Sequence, residues 1–172
     1  VVASVDPSDS TTPVQDAIDA VEVIGTGLVI LPPGTTEITQ SPTIENCSLV
    51  GYGDNYVAGD SGSELYITSD GTDGITIDSS NGGVNGLYFR DFTLRGPGDS
   101  ASSASDALVF SGGNNFTNLT ISLSILDWRG RAVSSPGSGV VFACEFPHLR
   151  IRKVDSGNQT AVIDFSNGAG PG

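Results

Sequence analysis

The residues best suited to chemistry gather in the last third of the chain. Asp127-Trp128-Arg129 places the only tryptophan between a carboxylate and a guanidinium, and Asp155 and Asp164 follow within a few tens of residues. A tryptophan face is a plate for stacking a sugar ring, with Arg129 and Asp127 beside it to hydrogen-bond hydroxyls. Glycoside hydrolysis needs something else, two carboxyl groups about 5–10 Å apart across a groove. Asp127, Asp155 and Asp164 are the candidates for such a pair. Each residue also has a plainer reading: Trp128 as cover for the edge of a core, the carboxylates as chance neighbours in an acidic protein.

Those side chains must be positioned by a repeating scaffold. A six-residue phrase recurs four times: Ile44-Glu45-Asn46-Cys47-Ser48-Leu49, Phe89-Arg90-Asp91-Phe92-Thr93-Leu94, Phe116-Thr117-Asn118-Leu119-Thr120-Ile121 and Phe146-Pro147-His148-Leu149-Arg150-Ile151. Its first, fourth and sixth places are apolar, and its third is Asn, Asp or His. The intervals are 45, 27 and 30 residues, the first long enough for two turns. Recurrence at about 20–50 residues marks a solenoid, whose units bury their apolar faces only by stacking. If the phrases are equivalent, Asn46, Asp91, Asn118 and His148 form one structural polar ladder that satisfies backbone groups at a bend. On that expectation His148, the only histidine, is a bend residue before it is an acid–base group.

Composition narrows the class. Asp and Glu number 20 against 7 Lys and Arg, a formal net charge of −13, and Lys153 is the only lysine. Such a surface repels phosphate backbones, which argues against nucleic-acid binding. It suits concentrated salt, and a halophilic source is expected; calcium binding is the alternative, although no Asp-x-Asp-x-Asp loop occurs. No apolar run approaches the roughly 20 residues of a membrane span. The chain has no initiator Met and no signal-peptide profile, which suits a mature form or an excised piece. Cys47 fills an apolar place of the phrase. Three or more strand spacings from it, Cys144 would lie roughly 14 Å away, too far for a disulfide.

The element pattern is one helix followed by strands. After an extended segment over 1–10, Thr11-Thr12-Pro13 supplies a hydroxyl cap with Pro at the first helical position. Val14, Ala17, Ile18 and Val21 follow at helical spacing, and Gly25-Thr26-Gly27 ends a helix of about 12–24. Strands are expected near 28–31, 36–39, 64–68, 74–78, 107–110, 139–143 and 161–165, with a polar loop at 96–106. One solenoid domain over 11–172 follows, the helix covering its first layer. Its Gly-rich end, 166–172, shows no closing cap.

The opening also resembles a known family. Thr11-Thr-Pro-Val-Gln-Asp-Ala-Ile-Asp-Ala20, Gly27-Leu-Val-Ile-Leu-Pro-Pro-Gly34 and Ser48-Leu-Val-Gly-Tyr-Gly53 are similar to the start of pectate-lyase-like domains. The same opening occurs in viral tailspikes and in polysaccharide lyases and hydrolases. The resemblance covers residues 11–53 and implies an all-β fold, a right-handed parallel β-helix with a short N-terminal capping helix. It does not imply one activity, since the fold serves many. The hydrolases of the group carry an Asp-Asp pair and a Gly-His-Gly, both absent here; Arg150-Ile151-Arg152-Lys153 matches their Arg-x-Lys incompletely. The lyases use calcium-binding carboxylates with an Arg or Lys base, a role in which Arg152 or Lys153 could stand beside Asp155 and Asp127, although a surface ion pair accounts for the same residues.

The expectation is a non-catalytic module on a virion or cell exterior that contacts surface glycans through Trp128, Arg129 and Asp127, with Tyr52, Tyr56 and Tyr66 as further aromatics. The alternative is a lyase or hydrolase acting through Asp127, Asp155, Asp164 and Arg152. A homo-oligomer, a trimer first, or neighbouring subunits of an assembly would shield exposed sheet edges. Sequons at Asn46, Asn115, Asn118 and Asn158 are possible glycan acceptors; Asn46 and Asn118, as ladder residues, are expected to point inward.

Overall fold

The structure, a computed structural model, describes residues 1–6, 12–53, 61–98, 103–155 and 163–165. The chain opens with β1 (Val2–Ser4) and α1 (Pro13–Glu22). A first coil follows: β2 (Gly27–Ile30), β3 (Gly34–Ile38) and β4 (Thr43–Ile44). The second comprises β5 (Cys47–Val50), β6 (Ser63–Ile67), β7 (Ile75–Asp78) and β8 (Val84–Asn85). The third holds β9 (Tyr88–Arg95), β10 (Leu108–Ser111) and β11 (Phe116–Thr117), and the fourth β12 (Thr120–Arg129), β13 (Val133–Ser134) and β14 (Val141–Phe142). The fifth begins with β15 (Arg150–Asp155) and β16 (Ile163–Asp164). Every ladder between them is parallel. The protein is a parallel β-solenoid of about 5 turns with a single short N-terminal helix.

Three sheets run along the stack: an eight-stranded one, the five-stranded β16-β13-β10-β7-β4 and the three-stranded β14-β11-β8, which spans the second to fourth coils. The largest has two limbs. One is β1-β2-β5 and the other β3-β6, and both pair with β9, whose first half continues the first limb and second half the other. Val2–Ser4, expected to precede the solenoid, is the edge strand of the first limb.

Inward-facing residues stack in columns, which is how a solenoid builds a core from short strands. Val29, Leu49, Phe89 and Ile121 align in the first limb, and Leu65, Leu94, Ile125 and Ile151 in the second. Ile44, Ile77 and Phe110 align in the five-stranded sheet. All but Ile151 are buried. Helix α1 puts Val14, Ala17, Ile18 and Val21 on the first layer. Gln15 fastens it there, accepting from the Thr43 N–H at 2.7 Å, and the Glu22 carboxylate accepts from the Glu45 and Asn46 N–H groups at 2.7 Å each. The expected hydroxyl cap is not made; the Thr12 side chain donates to Asp16 instead, at 3.2 Å.

The register corrects the equivalence of the four phrases. Leu49, last in the first phrase, and Ile121, last in the third, both lie opposite Phe89, first in the second. Asn46 and Asn118 fall in one column with Gly86 between them, whereas Asp91 and His148 lie elsewhere, and all four are exposed. A phrase of spacing i, i+3, i+5 recurs because two short strands meet at a corner, and the solenoid has several corners. A further polar stack lies ahead of the five-stranded sheet. Asp73 accepts from the Asp106 N–H at 2.8 Å, and Asp106 from the Arg131 N–H at 2.7 Å, each residue two places before its strand.

Both cysteines are free, Cys47 buried and Cys144 partly so. Cys47 faces Gly27 two places before Leu49, in the column that Leu87 and Leu119 continue. Burial, with the Glu22 carboxylate adding to it, pushes the Cys47 thiol far up, so it is an apolar space-filler and not a nucleophile.

Candidate functional site

The two limbs of the large sheet meet at an angle, and the outer side of that bend is a shallow groove of about 200 Å³ lined by Gly53, Asp91, Ser122, His148 and Arg150. Successive coils supply these residues. β9 carries one residue more than β12 across the bend, since Arg90 lies opposite Ser122 and Thr93 opposite Ser124. The extra residue is Asp91, whose φ of 62° is the left-handed conformation that Asp tolerates better than most. The bulge changes the parity of the strand. Arg90 and Asp91 both face outward between buried Phe89 and Phe92, and the Asp91 carboxylate stands in the groove beside His148 and Arg150.

Gly51 makes the bend possible. A Cβ there would collide with the Asp91 carbonyl and lie 2.7 Å from the Ser63 side chain, so any larger residue would push β5 off β9. Gly51 and Gly53 N–H groups donate to the Arg90 and Asp91 carbonyls at 3.0 and 2.8 Å.

An aromatic adjoins the groove on the first limb. Tyr88 faces outward two residues before Arg90, with the Arg90 guanidinium 5.1 Å from its ring centre, and Arg90 Nε lies 3.5 Å from Asp91 Oδ2. The outer surface thus runs Tyr88, Arg90, Asp91, Ser122, His148, Arg150. It combines one carboxylate, two guanidinium groups, an imidazole, a hydroxyl and a phenol ring, a set that can hydrogen-bond sugar hydroxyls and pair with an anionic substituent. Among the described residues no carboxylate but Asp91 lines this groove.

Trp128 is not the expected stacking plate. It is fully buried, its indole N–H aimed at the Leu94 carbonyl 3.4 Å away, and the Gly96 backbone lies so close that a Cβ there would sit 2.6 Å from the ring. A large apolar ring at the end of a coil gains more from the interior than from water. Asp127, in a left-handed conformation at φ 57°, and Arg129 flank it on β12, half-buried. Of the proposed carboxylates, Asp127 and Asp155 lie in the large sheet and Asp164 in the five-stranded one. The Asp164 carboxylate is held by Arg131, Nε to Oδ2 3.3 Å, which also faces Asp106 at 3.6 Å. Arg152 is exposed on the outer face of the second limb, opposite Leu126. Tyr52 is exposed, Tyr66 is stacked under Arg95 at 4.2 Å, and Tyr56 and Asn158 lie outside the described residues.

The calcium suggested by the lyase resemblance finds no fitting donor set here. Among the described residues no three His, Cys, Asp or Glu side chains converge on one point. Asp106 and Asp164 meet around a guanidinium, which already occupies the place a cation would take. Among the described residues no helix is long and apolar enough to cross a membrane.

The groove was missed in the sequence because its residues come from four coils whose register the repeated phrase misassigned. One signal was available: Asp91, an acid at a place where neighbouring strands alternate apolar and polar residues, breaks the period of two. No family model, curated protein or solved structure matches the chain.

Proposed function

We propose that this solenoid is a non-catalytic, extracellular or virion-surface module that holds a surface glycan in the groove at the bend. The observation that carries the reading is the open, mixed-polarity lining of Asp91, Ser122, His148 and Arg150, with Tyr88 and Arg90 beside it. Such a surface can hydrogen-bond several hydroxyls of a glycan chain laid across the coils. Among the described residues the groove holds one carboxylate where hydrolysis needs two, and this favours binding over cleavage. The opening of the chain, with Gln15 pinning the helix to the first coil, supports kinship with pectate-lyase-like right-handed β-helices. The acidic surface suits a halophilic source, and assembly as a trimer, or with neighbouring subunits, belongs to the same reading.

The test is a glycan array probed in molar salt, followed by calorimetry on the hits with the wild type, Arg150→Ala and His148→Ala. Retained folding with at least a tenfold loss of affinity in Arg150→Ala is the expected result. Unchanged binding in both variants would place the glycan elsewhere, and oligosaccharides released from any glycan would make the protein an enzyme.

A further inference from the structure

We propose that Asn115 is an N-glycan acceptor, a role independent of the groove. Asn46, Asn115 and Asn118 each begin an Asn-x-Ser/Thr sequence, the acceptor pattern for N-glycosylation. Asn46 and Asn118 lie at the corner where the short strands β4 and β11 lead into the first limb of the large sheet, Asn115 one short strand earlier, ahead of β11, and all three are exposed. None of them lines the groove at the bend. A glycan on this corner would leave the bend open.

The three differ in what the transferase would meet. Asn115 directly precedes β11 in an exposed run with Gly113 and Asn114, and no hydrogen bond engages its side-chain amide among the described residues. The hydroxyl of its sequence, on half-buried Thr117, donates to Asn85 Oδ1 at 3.1 Å in a contact at the surface. Asn118 is exposed too, but its Nδ2, the atom that must attack, donates to Asn85 Oδ1 at 3.0 Å, and its backbone is left-handed at φ 54°. Asn46 depends on Ser48, which is 3% exposed and accepts from the Tyr88 N–H at 3.1 Å. Of these three, only Asn115 combines a disengaged amide with a hydroxyl that lies at the surface.

The chemistry needs a lipid-phosphate-linked oligosaccharide and its transferase, supplied by the cell. Asn115 Nδ2 attacks the anomeric carbon, a C–N bond forms, the glycosyl C–O bond to phosphate breaks, the amide loses one proton, and the lipid phosphate leaves.

The experiment offers the purified, folded chain to an oligosaccharyltransferase with its lipid-linked donor, beside the same chain unfolded in urea and diluted into the reaction. Peptide mass spectrometry after amidase treatment then reads each site as an Asn-to-Asp change. The expected result is modification of the folded chain at Asn115 and not at Asn46 or Asn118, with all three modified in the unfolded chain. Asn115→Gln, exposed and folded as judged by an unchanged melting curve, should remove the folded-state product. Three results would overturn the proposal: Asn115 unmodified in the folded chain, Asn115 unmodified in the unfolded chain, or Asn118 modified in the folded chain as fast as Asn115.

Discussion

The first and second halves of the chain build the same coil from opposite electrostatic materials. Residues 1–89 contain 13 acidic residues and no lysine or arginine, whereas residues 90–172 contain 7 acidic and 7 basic residues. The whole net charge of −13 thus belongs to the first half. Both halves stack buried aliphatic and aromatic columns, so the core does not register the difference. The polar contacts between coils do. In the first half, carboxylates and amides hold backbone N–H groups, as Glu22 holds Glu45 and Gln15 holds Thr43. From β9 onward guanidinium groups hold carboxylates: Arg95 to Glu64 at 2.8 Å, Arg131 to Asp106 and Asp164, Arg90 to Asp91. Charge of this kind sets solubility and encounter rather than fold, and the groove lies where the cations are.

If the core is common to both halves, truncating it in the cation-bearing half should cost more than removing any one charge. Trp128→Ala is the sharpest case, with an expected loss of about 3–5 kcal/mol by chemical denaturation. A loss smaller than that of the charge variants would mean that ion pairs, not packing, hold the later coils. Next is the seam between the halves. Glu64 comes from the acidic half with its side chain 6% exposed, Arg95 from the other, and Thr35 donates to the same carboxylate at 3.0 Å. Arg95→Ala leaves that buried carboxylate without its cation and should cost about 3 kcal/mol. The double variant Glu64→Gln/Arg95→Met should recover part of the loss, because a buried pair is costly to break and cheap to replace.

The solenoid, its capping helix and most strands were legible from residue patterns, because short-range periodicity reports burial directly. Val14, Ala17, Ile18 and Val21 at helical spacing, and Leu28-Val29-Ile30-Leu31 before Pro32-Pro33-Gly34, required no knowledge of what lay opposite. Register was not legible. Which residue of one coil lies over which residue of the next depends on corner lengths, and the extra residue Asp91 in β9 and the added β8 corner of the second coil alter them. One such misassignment put Asp91 and His148 into one ladder with Asn46 and Asn118, and His148 was discounted with it. The inward turn of Trp128 was equally hidden, since it rests on the close approach of Gly96 from the preceding coil.

Salt sharpens the comparison with a smaller effect. Self-repulsion within residues 1–89 is spread over a surface, and raising the salt from about 0.1 M to 1 M shortens the screening length from about 10 Å to 3 Å. The melting temperature should therefore rise with sodium chloride. Replacing Asp19 and Glu37 by Asn and Gln should reduce the rise, whereas Arg152→Gln should not. A melting temperature that falls with salt would mean that the ion pairs of the second half outweigh the repulsion of the first.

The smallest expected effect is at Asp73, where an acid of the first half stacks on the second. Burial raises its carboxyl above the ordinary value of 3.8; the Asp106 N–H opposes this, and the Asp106 carboxylate adds to it. The folded protein therefore holds that proton more tightly than the unfolded chain does. Between 3.8 and the raised value, unfolding releases a proton, so stability falls as pH rises through that window and the cost persists above it. Asp73→Asn keeps an oxygen for the Asp106 N–H and removes the charge. It should be slightly more stable than wild type at neutral pH by urea denaturation, with the advantage fading as the pH falls through that window and gone below 3.8. An equal or lower stability at neutral pH would show that the Asp73 carboxylate is stabilised where it lies, and that the acidic half meets the second coil stack without electrostatic cost.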